Sequence, residues 1–402
     1  MTETITTNFV GELSGLSGRI NMLQRMQPEF YREEVDKIFR RGWLLVACAS
    51  DIPENNDYLC KEIPTLKTSV IIARSEDGKV RAFHNMCRHR ANQLVPEGSG
   101  NSRAFVCGFH GWSYHNDGRL AGITDRSQFT DIDEATLGLI PVHTEVWEDF
   151  IFVNFDKEEP RETLEEWLGS MYGEYRGYFA NRRKIASHRI LADCNWNVAI
   201  NSFTEGYHAM FVHKATVPDY QGGSGNPDRH RPYMEVTNYH GRYSVEGNAN
   251  HKPTEVEAIA YQRGREMYPT FPPNAAVELG LPPGVNATRI RDWLHDVGEV
   301  FPNIMLVCSA HWHSVAWFWP VAVDRTIVHA EMFAYEPVTV DDYMAQTYFR
   351  TRLREVFRED VAVMEAVTRQ LQSGAMEEIH LSKQEMLLRK HYAAVDELIA
   401  QP

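Results

Sequence analysis

The apolar pattern of the chain changes period several times. Over residues 28–41 (PEFYREEVDKIFRR), Tyr31, Val35, Ile38 and Phe39 recur at helical spacing and predict a short amphipathic helix. From Trp43 to about Phe155 the texture becomes short apolar runs cut by turn signals. Val70–Ala73, Ser75–Gly78 and Val80–Phe83 are one such strand–turn–strand set, and His115-Asn116-Asp117-Gly118 is a further strong turn. This stretch predicts a small all-β domain with Ile151–Phe155 as its closing strand. Helical patterns return at 161–176 and 195–213. Residues 214–290 are rich in Gly, Pro, Asn and Tyr, with strand-like pieces around Met234–Val245. An irregular segment of that length is more often functional than idle, so 217–290 is expected to form a lid or pocket rim. Strand signals follow at Asn303–Val323 and Thr326–Tyr335, then a long amphipathic helix over roughly 341–372 and a charged helical tail. The expected class is α+β: an N-terminal helical segment (1–41) packing on the last domain, an all-β domain (42–156), and a domain (157–402) whose antiparallel sheet is flanked by helices.

Within that last domain, AHWHSVAWFWP (310–320) alternates as a strand, with His311, His313, Val315, Trp317 and Trp319 on one face. Those residues suit an aromatic pocket wall, and ordinary sheet core even better. Composition adds limits. The 402 residues are 43% hydrophobic and 24% charged, and no apolar run is long enough for a membrane span. The polar start, Met1 to Arg19, lacks the apolar segment of a secretory signal. Six cysteines without regular close spacing do not read as a disulfide framework, so a reducing cytoplasm is the expected compartment. A formal charge of −14 speaks against nucleic-acid or anionic-lipid partners, which need clustered Lys and Arg. Neither a Gly-x-Gly-x-x-Gly turn nor a Walker-type loop is evident, so the sequence offers no nucleotide site of its own.

Two constellations carry metal chemistry. Residues 87–110 read CRHRANQLVPEGSGNSRAFVCGFH, that is Cys-x-His, seventeen residues, then Cys-x-x-His. Cys87, His89, Cys107 and His110 suit a structural zinc site. They equally suit a 2Fe–2S centre in which two His replace two Cys on one iron. Context favours the second reading, because each pair sits on its own turn in a β-rich domain and Gly108 and Gly111 allow backbone N–H groups near sulfides. Cys48, Cys60, Cys194 and Cys308 read as buried small hydrophobes, and His84 and His115 as structural.

The second constellation lies in NWNVAINSFTEGYHAMFVH (195–213). Glu205 and His208 are three apart and share a helix face. His213 lies five beyond His208, about 140° further round an ideal helix, so both reach one metal only if the helix bends or ends between them. With one carboxylate, two such histidines make the facial triad of non-haem Fe(II) sites. By local sequence alone, the pair is more often structural than ligating.

The Cys-x-His…Cys-x-x-His segment resembles the Rieske motif. The stretch from Asn195-Trp196 through Asn201, Glu205, Tyr207-His208 and His213 resembles the mononuclear-iron motif of Rieske non-haem iron oxygenases, the aromatic ring-hydroxylating α-subunit family. The resemblance spans nearly the whole chain, although its specific motifs occupy only about sixty residues. It implies one 2Fe–2S cluster on the first four residues and one Fe(II) on His208, His213 and an acid from the long C-terminal helix. There Glu359-Asp360 and Glu365 fit an Asp-x4-Glu pattern, with Asp360 as the ligand and Glu359 as the fallback. It implies that Glu205 links His208 of its own subunit to His110 of a neighbour, with Asn201 as a further candidate catalytic residue. Ile200, where an acid is frequent in the family, is a departure and weakens any second proton-carrying carboxylate there. The implied activity is O2-dependent hydroxylation (mono- or dioxygenation) of an aromatic or similar apolar, sometimes carboxylated, small molecule; the alternatives are oxidative demethylation or amine oxidation and, more remotely, electron transfer or zinc binding without oxygenase chemistry. Electrons would come from a separate reductase or ferredoxin and so only indirectly from NAD(P)H. The implied assembly is a homotrimer, with a small β subunit as the variant.

Overall fold

The computed structural model describes residues 8–11, 15–223, 225–263 and 280–401. The chain forms two compact units, one running from Val35 to Glu166 and the other combining the described residues up to Glu34 with those from Trp167 onward. Among the described residues no helix is long and apolar enough to cross a membrane.

The Val35–Glu166 unit is β-rich, as its short apolar runs predict. A seven-stranded sheet takes, in spatial order, Leu44–Cys48, Phe150–Asn154, Pro141–Trp147, Val80–His84, Thr68–Arg74, Asp57–Ile63 and Gly98–Asn101. A separate three-stranded sheet (Ala104–Val106, Ser113–His115, Leu120–Gly122) carries the second Cys/His turn. A core of Ile71, Phe83, Leu94, Phe105, Trp112, Tyr114 and Leu139 includes Cys87 and Cys107.

The second unit is built on an eight-stranded sheet in the order Asn8–Val10, Tyr233–Thr237, His240–Glu246, Trp293–Val300, Ile304–Cys308, Trp312–Ala322, Arg325–Ala334 and Arg183–Ala192. All its pairings are antiparallel except the first, which is parallel. Its register sets Tyr243, Val297, Val307 and Ser314 in one row across four strands. The helix Val340–Gln372 starts at a reciprocal Thr339–Asp342 cap. Its buried stripe mixes apolar Ala345, Phe349, Val361, Met364 and Leu371 with polar Gln346, Arg352, Asp360 and Thr368, so Asp360 points inward with the core residues.

Several boundaries depart from the sequence expectation. The helix over 28–41 is α-helical only over Pro28–Glu34 and continues as a wider turn over Val35–Phe39. The pattern at 161–176 yields two short pieces, Leu164–Leu168 and Met171–Glu174, separated at Gly169, whose φ of +57° interrupts the helix. The strand over 303–323 is two strands, Ile304–Cys308 and Trp312–Ala322, and residues 195–213 are two helices rather than one.

Candidate metal centres and cavity

In the first unit, two loops of matching form present the Cys/His pairs. The Ala91 N–H donates to the Cys87 carbonyl and the Gly111 N–H to the Cys107 carbonyl, each at 2.9 Å. Both donors have positive φ, +57° at Ala91 and +75° at Gly111, and a Cβ at Gly111 would press on Thr124. Cys87 and Cys107 are buried, whereas His89 and His110 are half-buried at the rim. The two histidine Nδ1 atoms lie 3.1 Å apart. His89 stacks on Trp112 with ring centroids 5.1 Å apart, which fixes its plane. Burial pushes the Cys107 thiol up, but backbone N–H groups of Phe109 and His110 outweigh it and leave its pKa below the ordinary value. Tyr114 Oη accepts the Arg88 N–H at 2.8 Å, which leaves its own proton to donate to Cys87 Sγ at 3.2 Å. Two inward sulfurs served by N–H and O–H donors, with two imidazoles outside them, are a donor set that fits a 2Fe–2S group ligated asymmetrically.

In the second unit, the helix Trp196–Phe203 opens with Asn195, whose side chain accepts the Asn197 N–H. It ends at Thr204, where the hydroxyl and the N–H both bond the Ile200 carbonyl. The chain then turns through Glu205-Gly206, where the Arg231 guanidinium sits in the space a Cβ at Gly206 would take. A one-turn helix, Ala209–Val212, follows, with His208 before it and His213 already outside helical geometry. That break removes the angular mismatch between the two histidines. Their Nε2 atoms stand 3.2 Å apart, and Asp360 Oδ1 lies 3.4 Å from one and 3.3 Å from the other. Candidate ligand atoms of His208, His213 and Asp360 all fall within 4.8 Å of one another. Both Nδ1 atoms face away: His208 Nδ1 bonds Glu205, and His213 Nδ1 lies 2.9 Å from Glu359 Oε2. Glu359 also accepts the Thr216 hydroxyl at 2.7 Å, so the fallback ligand sits behind His213 and not on the Nε2 side.

Burial alone would lower both histidine pKa values. Hydrogen bonds to Asp360 and Glu205 instead raise His208 to about 10, and Asp360 with Glu359 raises His213 as well. A buried carboxylate so placed demands positive charge, and a divalent cation fits that demand as well as the donor chemistry. Glu365 accepts the Asp193 N–H at 3.2 Å, outside this group. Asn201 is buried on the first helix and is not among the cavity-lining residues described next.

The triad opens onto a cavity of about 130 Å³. Its walls are Phe203, Val217, Tyr243, Val297, Met305, Val307, Trp312, Phe349, Val356 and Phe357, with Ser202, Gln221, His295, Ser314 and Arg352 as polar members. Arg352 is the cation beside the cavity, but its Nη1 lies 3.1 Å from Glu257, which is itself buried. The face of 310–320 that carries His313, Val315, Trp317 and Trp319 is buried sheet core, the favoured of its two readings, and not a cavity wall. Trp312 and Ser314, on the opposite face, line the cavity, while His313 stacks on Phe333 and meets Arg182 at 3.1 Å. Val217 and Gln221 from the irregular segment join the rim; residues 264–279 of the expected lid lie outside the described residues. Tyr243, also within the expected 217–290 rim, joins the wall, whereas sequence reasoning missed His295, Phe349 and Phe357. The period-two pattern of the strands and the stripe of the long helix were the available signals.

Comparison with known proteins identifies the family. The Rieske [2Fe–2S] domain family matches residues 42–139, and the ring hydroxylating alpha subunit (catalytic domain) family matches residues 179–401. A chloroplastic choline monooxygenase from Spinacia oleracea is 31% identical over 259 residues, 63% of this chain and 55% of the relative. The large oxygenase component of a naphthalene 1,2-dioxygenase system from Pseudomonas aeruginosa is 30% identical over 218 residues, 52% of this chain and 47% of the relative. The chain thus spans about half the length of the curated relatives it matches. Naphthalene 1,2-dioxygenase from Rhodococcus sp. shares the fold with a TM-score of 0.76 at 20% identity, covering 96% of this chain and 95% of that one. A quaternary ammonium Rieske monooxygenase shares it with a TM-score of 0.74 at 19% identity, covering 95% of each. The family matches assign a Rieske 2Fe–2S cluster and a mononuclear iron as the cofactors. With more than half its length matched by the catalytic-domain family, the chain belongs to the ring-hydroxylating alpha-subunit family and carries a Rieske [2Fe–2S] domain ahead of that catalytic domain.

Proposed function

We propose that this chain is the terminal oxygenase of a multicomponent system, using O2 and externally supplied electrons to oxidise a compact, largely apolar small molecule. The observation that carries the reading is the His208–His213–Asp360 group opening onto an aromatic-walled cavity, in a chain that also holds a Cys/His cluster site. In this reading Cys87, His89, Cys107 and His110 hold the 2Fe–2S group, and His208, His213 and Asp360 hold the iron. The bound iron supplies the activation of O2 beside the substrate. The protein's part is to seat the substrate, exclude water and keep the ligand rings fixed. Phe203, Trp312, Phe349 and Phe357 line the seat, while Glu205 and Glu359 hold the two imidazoles from behind.

Exposed apolar surface beside both centres supports assembly with further copies. Tyr207, Met210 and Phe211 are exposed next to Glu205 and His208, and Val106 and Phe109 next to His110. Such patches, each bordering a redox site, suit head-to-tail contact between copies, and a closed ring of three is the proposed form. Electrons would then pass from His110 of one copy through Glu205 of the next. A reductase or ferredoxin is the proposed donor and the cytoplasm the proposed location.

A second reading, oxidation of a quaternary ammonium compound, is favoured by the aromatic walls, which suit cation–π contact. Turnover under ¹⁸O2 separates the two. Ring or methylene hydroxylation leaves the carbon skeleton whole with labelled hydroxyl, whereas amine oxidation releases an aldehyde. Absence of any O2-derived product with both substrate classes would sink the oxygenase reading.

Two further outcomes are expected. Glu359→Gln should weaken iron retention about 10–100-fold against a chelator, because His213 loses its charged orienting partner. Unchanged retention would mean that Glu359 only packs there. Tyr114→Phe should lower the cluster's reduction potential by ~40 mV, the one-electron equivalent of a hydrogen bond worth ~1 kcal/mol to sulfur. Voltammetry showing no shift would remove Tyr114 from the tuning set.

A further inference from the structure

Three polar side chains on the cavity have no hydrogen-bond partner for a buried atom: His295 at Nδ1, Ser314 at Oγ and Gln221 at Oε1. For His295, neither ring nitrogen makes a hydrogen bond among the described residues; its ring meets Trp312, centroids 6.3 Å apart. Nearly all buried polar atoms in native proteins are paired, so three orphans around one cavity point to a partner that arrives from outside the chain. The register explains how His295 gets there. It shares a strand face with Val297, two residues on, and Val297 stands in the row Tyr243–Val297–Val307–Ser314 that floors the cavity.

We propose that His295 is the specificity-determining residue of the cavity, donating a hydrogen bond to an uncharged oxygen (hydroxyl or carbonyl) on a compact aromatic or apolar substrate. The choice of an uncharged oxygen follows from the surroundings. A carboxylate in the cavity would face Glu205 and Asp360, and Arg352, the cation among the residues that line it, is already engaged by Glu257. Size sets the rest: 130 Å³ is the scale of a cavity that holds a benzene-sized molecule. Burial, reinforced by the neighbouring Arg231 charge, holds the His295 ring neutral with a pKa pushed down to about 3. A neutral ring keeps one N–H to donate and one lone pair to accept, so a hydroxyl suits it in either sense.

The inference rests on the cavity being the substrate's seat, and phenol and benzene are probes that separate the two ideas. Calorimetric titration of the iron-loaded protein should show phenol binding at least ~10-fold tighter than benzene, because a site built to pair an oxygen rejects the analogue lacking it. His295→Leu should abolish that preference while retaining benzene affinity, and His295→Gln, which keeps a donor, should restore part of it. Equal binding of the two probes by the wild type, or an undiminished preference in His295→Leu, would overturn the role of His295 and leave the seat intact. Binding of neither probe would overturn the seat and the inference together.

Discussion

Asp360→Ala is expected to empty the mononuclear site while leaving the Rieske centre untouched, so that iron falls from three atoms per chain to two. Asp360 Oδ1 is the carboxylate oxygen that approaches both Nε2 atoms, at 3.4 and 3.3 Å. Glu359 cannot take its place, because its carboxylate is committed to the Nδ1 edge of His213 and to Thr216. Two neutral imidazoles without the acid hold a divalent cation poorly. Turnover should drop by ~10³-fold or more, since loss of even an outer partner costs about 10–100-fold. The visible spectrum of the cluster should persist, which separates a local loss from general unfolding. Retention of three irons in Asp360→Ala would remove Asp360 from the ligand set.

Glu205→Ala is expected to keep the Rieske centre, to bind iron when Fe(II) is supplied in excess, and still to lose multiple turnover by ~10²-fold or more. Glu205 accepts the His208 ring and, through Oε2, the backbone N–H groups of Tyr207 and His208, the latter at 3.2 Å. It therefore shapes the turn that presents His208 and borders the exposed Tyr207–Phe211 surface. If it served only to orient His208, excess Fe(II) would restore turnover in the variant. If it carries electrons between copies, added iron would not help, and re-oxidation of the cluster by O2 and substrate would slow in stopped-flow traces. Glu205→Ala with full activity would contradict both roles.

How much of this was legible in the sequence depended on how locally each site is built. The Rieske pairs were readable because each pair sits on one tight loop, so spacing alone carries the geometry. The His208–His213 pair was readable only conditionally. Five residues on a continuous helix would have parted them, and the sequence could not show that the second helix ends after Val212, so that His213 leaves helical geometry. Asp360 was legible through the family resemblance alone, since an Asp on a charged helix by itself reads as a solvated-face residue, whereas the structure places it on the buried stripe with Val361 and Met364. The cavity wall was not legible. Every residue of Trp312–Pro320 is buried, on both faces of the strand, so alternation in hydrophobicity could not choose between Trp312 and His313. His295 was equally hidden, because an unpaired ring nitrogen exists only once the strands around it are paired.

A joint iron, zinc and acid-labile sulfide analysis of the purified chain, read with its electron paramagnetic resonance spectrum after reduction, tests whether one chain holds both metal centres. The predicted result is three iron atoms and two sulfides per chain, a Rieske-type signal, and loss of one iron alone in Asp360→Ala. Zinc at the Cys87–His89–Cys107–His110 site without sulfide, or an iron count of two that Asp360→Ala leaves unchanged, would contradict it.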